Sequence, residues 1–168
     1  MSVTDSIPGG DKKYELMPDQ QLVMAGTTLY RIRALKDFGN VKAGSLGGFV
    51  ASERNLSQLG DCWVADDGMV YDDAVVSGDA QIFGCGRVYG HGRVSDRGQI
   101  LGNGQVFEYG WVFKSGLVFD NAMIFGEGQV RDNGLAYGDS QVFESARVVD
   151  DGQVCGHARL SGKTVVGG

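Results

Sequence analysis

The chain has 168 residues and a formal net charge of -6, with 28 Gly and only 2 Pro. So much Gly excludes a helical bundle, because Gly costs about 1 kcal/mol per helical position relative to Ala, and the scarcity of Pro excludes collagen. The acidic balance argues against binding to a nucleic-acid phosphate backbone, and no segment approaches the ~20 apolar residues of a membrane span.

The N-terminal part of the chain, residues 1–45, is predicted to form a separate capping module. Residues 1–12 are typical of a mobile tail and lack the apolar core of a signal peptide. The segment LVMAGTTLYRIRAL, residues 22–35, predicts a β-hairpin with Ala25 and Gly26 near its turn. We expect this hairpin to cover the open strand edge of the first coil that follows, since every solenoid must protect that edge.

From Val64 onward two coupled series of residues recur every six positions without interruption. The first series is aliphatic, with Val, Ile or Leu at 17 of its 18 positions between Val64 and Val166 and Ala136 as the exception. The second series stands two residues earlier in each hexad and always holds a small residue, from Cys62 to Thr164. Residues two apart on a strand point to the same side, so both series are predicted to face a common interior.

Gly or Asp stands two residues after most of the aliphatic positions, where a corner with a positive φ angle is expected. Three hexads then close a coil of 18 residues. We therefore predict an all-β fold, a three-sided parallel β-helix of about six such coils over residues 46–168, preceded by the small hairpin cap. The three-sided coil resembles the left-handed hexapeptide-repeat family, which favours a left-handed helix.

The C-terminal end of the repeat shows no comparable cap, since the hexads continue to Val166. An uncovered strand edge can pair with a second chain, and simple fraying of the end is the equal alternative.

Residues 18 apart are predicted to stack, so the outward side chains that directly follow the aliphatic residues can be arranged in columns. One column is aromatic throughout and consists of Tyr71, Tyr89, Phe107, Phe125 and Phe143. A second column consists of Phe83, Leu101, Phe119 and Tyr137. The third is mostly small or polar: Ser77, Ser95, Phe113, Arg131 and Val149.

Two interpretations of the aromatic columns remain open. Stacked rings stabilise a solenoid, which is a purely structural role. Two adjacent apolar stripes would also leave a patch of roughly several hundred Å², which is more than a soluble monomer usually exposes and is typical of an interface.

A resemblance to hexapeptide enzymes also suggests chemistry, because many of them are acyltransferases with a His general base. The chain has 2 His, and stacking places His91 between Asp73 and Tyr109, and His157 above Asp139. If the chain were an enzyme, these two His and two Asp would be its catalytic candidates. Corner His residues are more often simply solvated, and the uninterrupted repeat leaves no long loop to shape a pocket.

Metal and cofactor chemistry find little support in the residues. Two His are too few for a three-His zinc site. The three Cys show no CxxC spacing and suit a reducing cytoplasm, with Cys62 predicted to point inward. No phosphate-binding Gly loop stands apart from the repeat, so we expect neither a metal nor a cofactor.

The junction DFGNVKAGSLGGFVASERNLSQLGDCWVADD, residues 37–67, resembles a group of enterobacterial and phage or prophage β-solenoid proteins. The shared elements are VKAG at residues 41–44, LGG-V at residues 46–50 and GDCWV at residues 60–64. Some members are labelled putative transferases on the strength of the hexapeptide fold, and the group supplies no catalytic residues. The resemblance implies a small phage-borne protein in the host cytoplasm that binds and blocks a host protein, including defence systems.

These observations leave three hypotheses. The first is a non-enzymatic binding protein whose aromatic columns form contacts with a host protein or with other copies in a dimer or trimer. The second is an acyl-CoA-dependent acyltransferase that uses His91 or His157. The third is a scaffold that grows end to end from the uncapped coil.

Overall fold

The computed structural model of the chain describes residues 11–168, so most of the predicted N-terminal tail lies outside the described residues. These residues form strands and turns, including a short 3-10 turn at Glu53–Asn55, and no helix among them is long and apolar enough to cross a membrane. The strands are β1 (Tyr14–Met24), β2 (Thr27–Ala34), β3 (Leu46–Val50), β4 (Trp63–Val64), β5 (Met69–Val70), β6 (Val75–Val76), β7 (Gln81–Ile82), β8 (Arg87–Val88), β9 (Arg93–Val94), β10 (Gln99–Ile100), β11 (Gln105–Val106), β12 (Trp111–Val112), β13 (Leu117–Val118), β14 (Met123–Ile124), β15 (Gln129–Val130), β16 (Leu135–Ala136), β17 (Gln141–Val142), β18 (Arg147–Val148), β19 (Gln153–Val154), β20 (Arg159–Leu160) and β21 (Val165–Val166).

The short strands stack into three parallel sheets, which confirms the predicted β-solenoid. One sheet runs β1-β2-β3-β5-β8-β11-β14-β17-β20, the second runs β4-β7-β10-β13-β16-β19, and the third runs β6-β9-β12-β15-β18-β21. Val88 pairs with Val106, and Val106 with Ile124, so partners lie 18 residues apart along the chain. Each coil therefore contributes one two-residue strand to each of the three faces.

The predicted hairpin is confirmed and extends further toward the N-terminus than the sequence indicated. Its two-residue turn is formed by Ala25 and Gly26, whose φ angles of 50° and 79° suit the twist of the flanking strands. β1 begins at Tyr14 because its residues from Tyr14 to Met17 also pair with β2, beyond an irregularity between Met17 and Gln21. β2 then pairs antiparallel with β3, and β3 pairs parallel with β5, so the hairpin continues the first sheet.

Two side chains at the start of the hairpin, those of Lys13 and Tyr14, close the N-terminal end of the solenoid. The Lys13 ammonium is buried and donates to the carbonyls of Leu59, Gly60 and Cys62 at 3.3, 3.0 and 2.8 Å. The Tyr14 hydroxyl is also buried and donates to the carbonyl of Leu56 at 2.5 Å. These bonds satisfy backbone acceptors of the irregular first coil that no neighbouring coil covers.

The interior is a column of aliphatic residues packed against small ones, as the two series predicted. Aliphatic residues such as Val88, Val106 and Ile124 are fully buried. The small positions leave little space for a side chain because the next coil lies directly above them. A Cβ atom on Gly110 would approach the carbonyl oxygen of Ile124 to 2.5 Å.

All corner positions from Asp66 to Gly162 adopt the positive φ that the pattern predicted, including non-Gly residues such as Glu108 at 53° and Lys114 at 52°. Acidic corners gain a compensating bond, because the side chain accepts from the backbone amide 18 residues later. Asp66 accepts from Gly84 at 2.9 Å, and Glu108 accepts from Gly126 at 2.7 Å. The corner carboxylates thus tie successive coils together.

Replacement of Gly110 by Ala is expected to destabilise the protein by about 1–3 kcal/mol, because the new methyl group meets a backbone carbonyl that cannot move alone. Gly104→Ala is the matched control, since its Cβ would first meet the Ile100 side chain at 3.0 Å, which can shift. Urea unfolding of both variants measures the difference. A Gly110→Ala variant as stable as Gly104→Ala would contradict the packing described above.

Alkaline pH is expected to weaken the N-terminal closure through Tyr14. Burial raises the pKa of Tyr14 well above its ordinary value of 10.0, so the folded state holds the phenolic proton more tightly than the unfolded state. The associated stability is complete below pH 10.0 and is lost as the pH rises further. The free energy of unfolding, measured with urea across this pH range, should fall more steeply with pH for the native chain than for Tyr14→Phe. Equal slopes would show that Tyr14 does not control the loss of stability.

Candidate functional site

The first aromatic column is a continuous stack of five rings on the face formed by the first sheet. Successive centroids lie 5.0–5.2 Å apart, and the ring planes deviate by only 2–4°. The stack therefore follows the coil spacing, as the 18-residue column predicted. Its members are Tyr71, Tyr89, Phe107, Phe125 and Phe143.

Both ends of this stack are covered. Tyr71 packs against Leu29 of the hairpin and Phe49 of β3 and is only 5% exposed. The guanidinium of Arg159 lies 5.2 Å from the ring centroid of Phe143. The ring faces are thus used within the protein, and the edges of the half-buried rings from Tyr89 to Phe143 reach the surface.

The second predicted column lies on the face formed by the second sheet and is less regular. Phe119 and Tyr137 stack with centroids 4.9 Å apart, whereas Leu101 separates Phe119 from Phe83. All four side chains are half-buried. Leu117 and Leu135 point outward from β13 and β16 beside this column and widen the apolar surface.

This second face, which we call the neutral face, carries no charged side chain at its outward strand positions. Those positions hold Trp63, Gln81, Gln99, Leu117, Leu135 and Gln153. The column that follows them, from Ala65 to Cys155, is also uncharged. The other two faces differ, because Arg87 and Arg159 project from the first sheet and Arg93 and Arg147 from the third.

The third face holds an aromatic pair that sequence reasoning missed. Trp111 stacks on Phe113 with ring centroids 4.0 Å apart, and its indole N–H donates to the Ser95 hydroxyl at 3.0 Å. Trp111 stands directly before the aliphatic residue of its hexad, Val112, whereas the predicted columns contained only side chains that stand directly after an aliphatic residue. The available signal was the alternation within the strand, which also turns the residue before the aliphatic position outward.

The predicted neighbours of both His residues are confirmed. His91 Nδ1 lies 3.8 Å from a carboxylate oxygen of Asp73, and the His91 ring stacks on Tyr109 at 4.9 Å. His157 Nδ1 lies 3.3 Å from a carboxylate oxygen of Asp139.

The surroundings of these two His–Asp pairs offer little for catalysis. The side chains of His91 and His157 are 53% and 89% exposed. They belong to different corner columns, so the structure does not bring them together. His91 borders a shallow depression with Ser52 and Arg54, and a catalytic role for either His stays a prediction.

The three cysteines occupy unrelated environments. Cys62 is buried as predicted, and burial raises the pKa of its thiol. Its sulfur lies 3.3 Å from the Lys13 ammonium, where burial lowers the lysine pKa. Cys85 and Cys155 are exposed, and residues 11–168 contain no group of three or more His, Cys, Asp or Glu side chains that could hold a metal ion.

A β-solenoid is by itself compatible with many functions. No protein-family model matches the chain, and no curated protein matches it. The arrangement of side chains on the three faces is therefore the basis for the functional conclusion.

Replacement of Phe107 by Leu is expected to lower the free energy of unfolding by about 1–3 kcal/mol, because Phe107 contacts a ring on each side and each contact is worth about 0.5–1.5 kcal/mol. Phe143→Leu is the control, since Phe143 has one aromatic neighbour in the stack, and both variants are made in an Arg159→Ala background so that the Arg159 contact with Phe143 does not contribute. It should cost about half as much. Urea unfolding distinguishes the two variants, and equal losses would show that ring stacking is not the source of the stability.

Proposed function

We propose that this chain is a non-enzymatic β-solenoid interaction protein that oligomerises and binds and inhibits a partner protein through its outward aromatic columns. The observation that carries the proposal is the order of these columns. Four rings from Tyr89 to Phe143 repeat at 5.0 Å with their edges at the surface of one rigid face.

Rigid aromatic side chains suit protein binding for an energetic reason. Binding usually costs about 0.5–1.5 kcal/mol for each flexible side chain that becomes ordered. Rings that are already held by their neighbours in the stack avoid most of that cost. Tyr and Trp are also enriched among the residues that dominate binding energy, and Tyr89, Tyr137 and Trp111 are all half-buried on the outer faces.

The kind of partner follows from the resemblance of the junction at residues 37–67 to phage and prophage solenoid proteins. That resemblance supports a phage-borne protein that acts on a host protein in the bacterial cytoplasm, including one of a defence system. The free thiols of Cys85 and Cys155 suit such a reducing compartment.

The test compares partner capture by the native chain and by the double variant Phe107→Ser/Phe125→Ser from lysate of infected or expressing bacteria. Loss of two central rings should reduce capture of a specific host protein by at least about tenfold, which corresponds to about 1.4 kcal/mol. Because these rings also stabilise the fold, Gly110→Ala serves as a control that weakens the core and leaves the outer faces intact. Equal capture by the native chain and the double variant would remove the first column from the binding surface.

A second measurement separates binding from catalysis. Thermal unfolding in the presence of acyl-CoA is expected to match unfolding without it, and stabilisation by acyl-CoA would overturn the non-enzymatic proposal in favour of an acyltransferase. Light scattering over a range of concentrations should give a dimer or trimer of constant mass. Species that grow with concentration would instead favour an end-to-end scaffold.

A further inference from the structure

The neutral face is unusual within a chain that carries 15 basic and 21 acidic residues. Its accessible part extends over the coils from Gln81 to Gln153, and its outward side chains are amides, aliphatic residues and half-buried rings. All carboxylates that follow Val64 occupy corner positions, as Asp79, Asp96 and Asp120 illustrate. The acidic charge is thus confined to the borders of the face.

We propose that the neutral face is the docking surface for a second copy of this chain, packed face to face around a two-fold axis. The inference deepens the proposed function, on which it rests, by naming which face oligomerises. The face with the Tyr71–Phe143 stack then remains free for a different protein.

The absence of charge favours a second copy over an unrelated partner. Two identical surfaces whose charges have one sign repel each other across a two-fold interface, whereas two uncharged surfaces do not. The amides of Gln81 and Gln153 each offer both donors and acceptors, so an amide of one copy can pair with an amide of the other copy. The depletion of charge at the centre and the charged rim at the corners are typical of homodimer interfaces.

The loop at residues 39–45 indicates how the two copies are oriented. Gly39, Asn40, Val41 and Ser45 border a cleft against Gln81 and Phe83, so this loop stands beside the N-terminal end of the face. An antiparallel pair places the two loops at opposite ends of the interface, whereas a parallel pair places both at one end, where they would hold the two faces apart. We therefore infer an antiparallel dimer with Leu117 and Phe119, at the middle of the face, near the two-fold axis.

Sedimentation velocity of the purified chain tests the docking surface. The native chain is expected to sediment as a dimer at micromolar concentration. Gln99→Glu/Gln153→Glu places four carboxylates in the dimer interface and should weaken association by at least about tenfold. The matched control is Gln129→Glu/Gln141→Glu, which adds the same charge at the same strand position on the other two faces and should remain a dimer.

Three outcomes would overturn the assignment of the face. They are a monomeric native chain, equal dissociation of both double variants, and a dimer that persists in Gln99→Glu/Gln153→Glu. Circular dichroism of each variant shows whether it remains folded before it is compared. Failure here leaves the capture experiment with Phe107→Ser/Phe125→Ser unaffected, because that experiment probes a different face and a different protein.

Single cysteines test the orientation in a background that carries Cys85→Ser and Cys155→Ser. Leu117→Cys lies near the two-fold axis and should form an intermolecular disulfide under mild oxidation. In an antiparallel pair, Gln153→Cys lies far from the same cysteine of the other copy and should not form a disulfide. Efficient cross-linking of Gln153→Cys would show a parallel pair and overturn the antiparallel arrangement.

Discussion

The 18-residue register between successive coils is the constraint on which the rest of the structure depends. Backbone amides along each face donate to carbonyls one coil later, for example Tyr89 to Val106 at 3.0 Å and Phe107 to Ile124 at 3.0 Å. Once this ladder forms, every side chain is repeated directly above its counterpart. The aromatic stack, the corner carboxylates and the His91–Tyr109 contact all follow from it.

The same register separates two kinds of surface. Corners adopt positive φ and hold the carboxylates, whose oxygens accept from the next corner amide, as Asp120 does from Gly138 at 3.1 Å. Faces hold two-residue strands whose outward side chains, apart from that of Gln81 on the Asp61 carbonyl, make no hydrogen bond to the backbone, and there Gln, Arg and apolar residues predominate. Acidic charge therefore runs along the edges of the rod and is absent from the outward strand positions of the faces.

The sequence predicted the fold, the composition of both aromatic columns and the neighbours of His91 and His157, because all of these depend only on counting along one strict repeat. It did not reveal that Tyr71 would be covered by Leu29 and Phe49, since the hairpin reaches that ring from a distant part of the chain. Nor did the repeat identify the closure of the first coil by Lys13. That contact depends on a long side chain that meets the carbonyls of Leu59, Gly60 and Cys62, where the regular hexads begin.

The amino-acid sequence by itself determined the periodic part of this protein, because a six-residue step with small and aliphatic residues two apart permits one packing of the interior. Tertiary structure alone decided how far each outer ring is exposed, because the side chains that pack above and below a ring determine how much of its faces is buried. It also decided which face lacks charge across its whole width. The uncharged surface consists of the outward strand residues and of the column of side chains beside them. Only the folded coil shows that these two sets of residues form one surface.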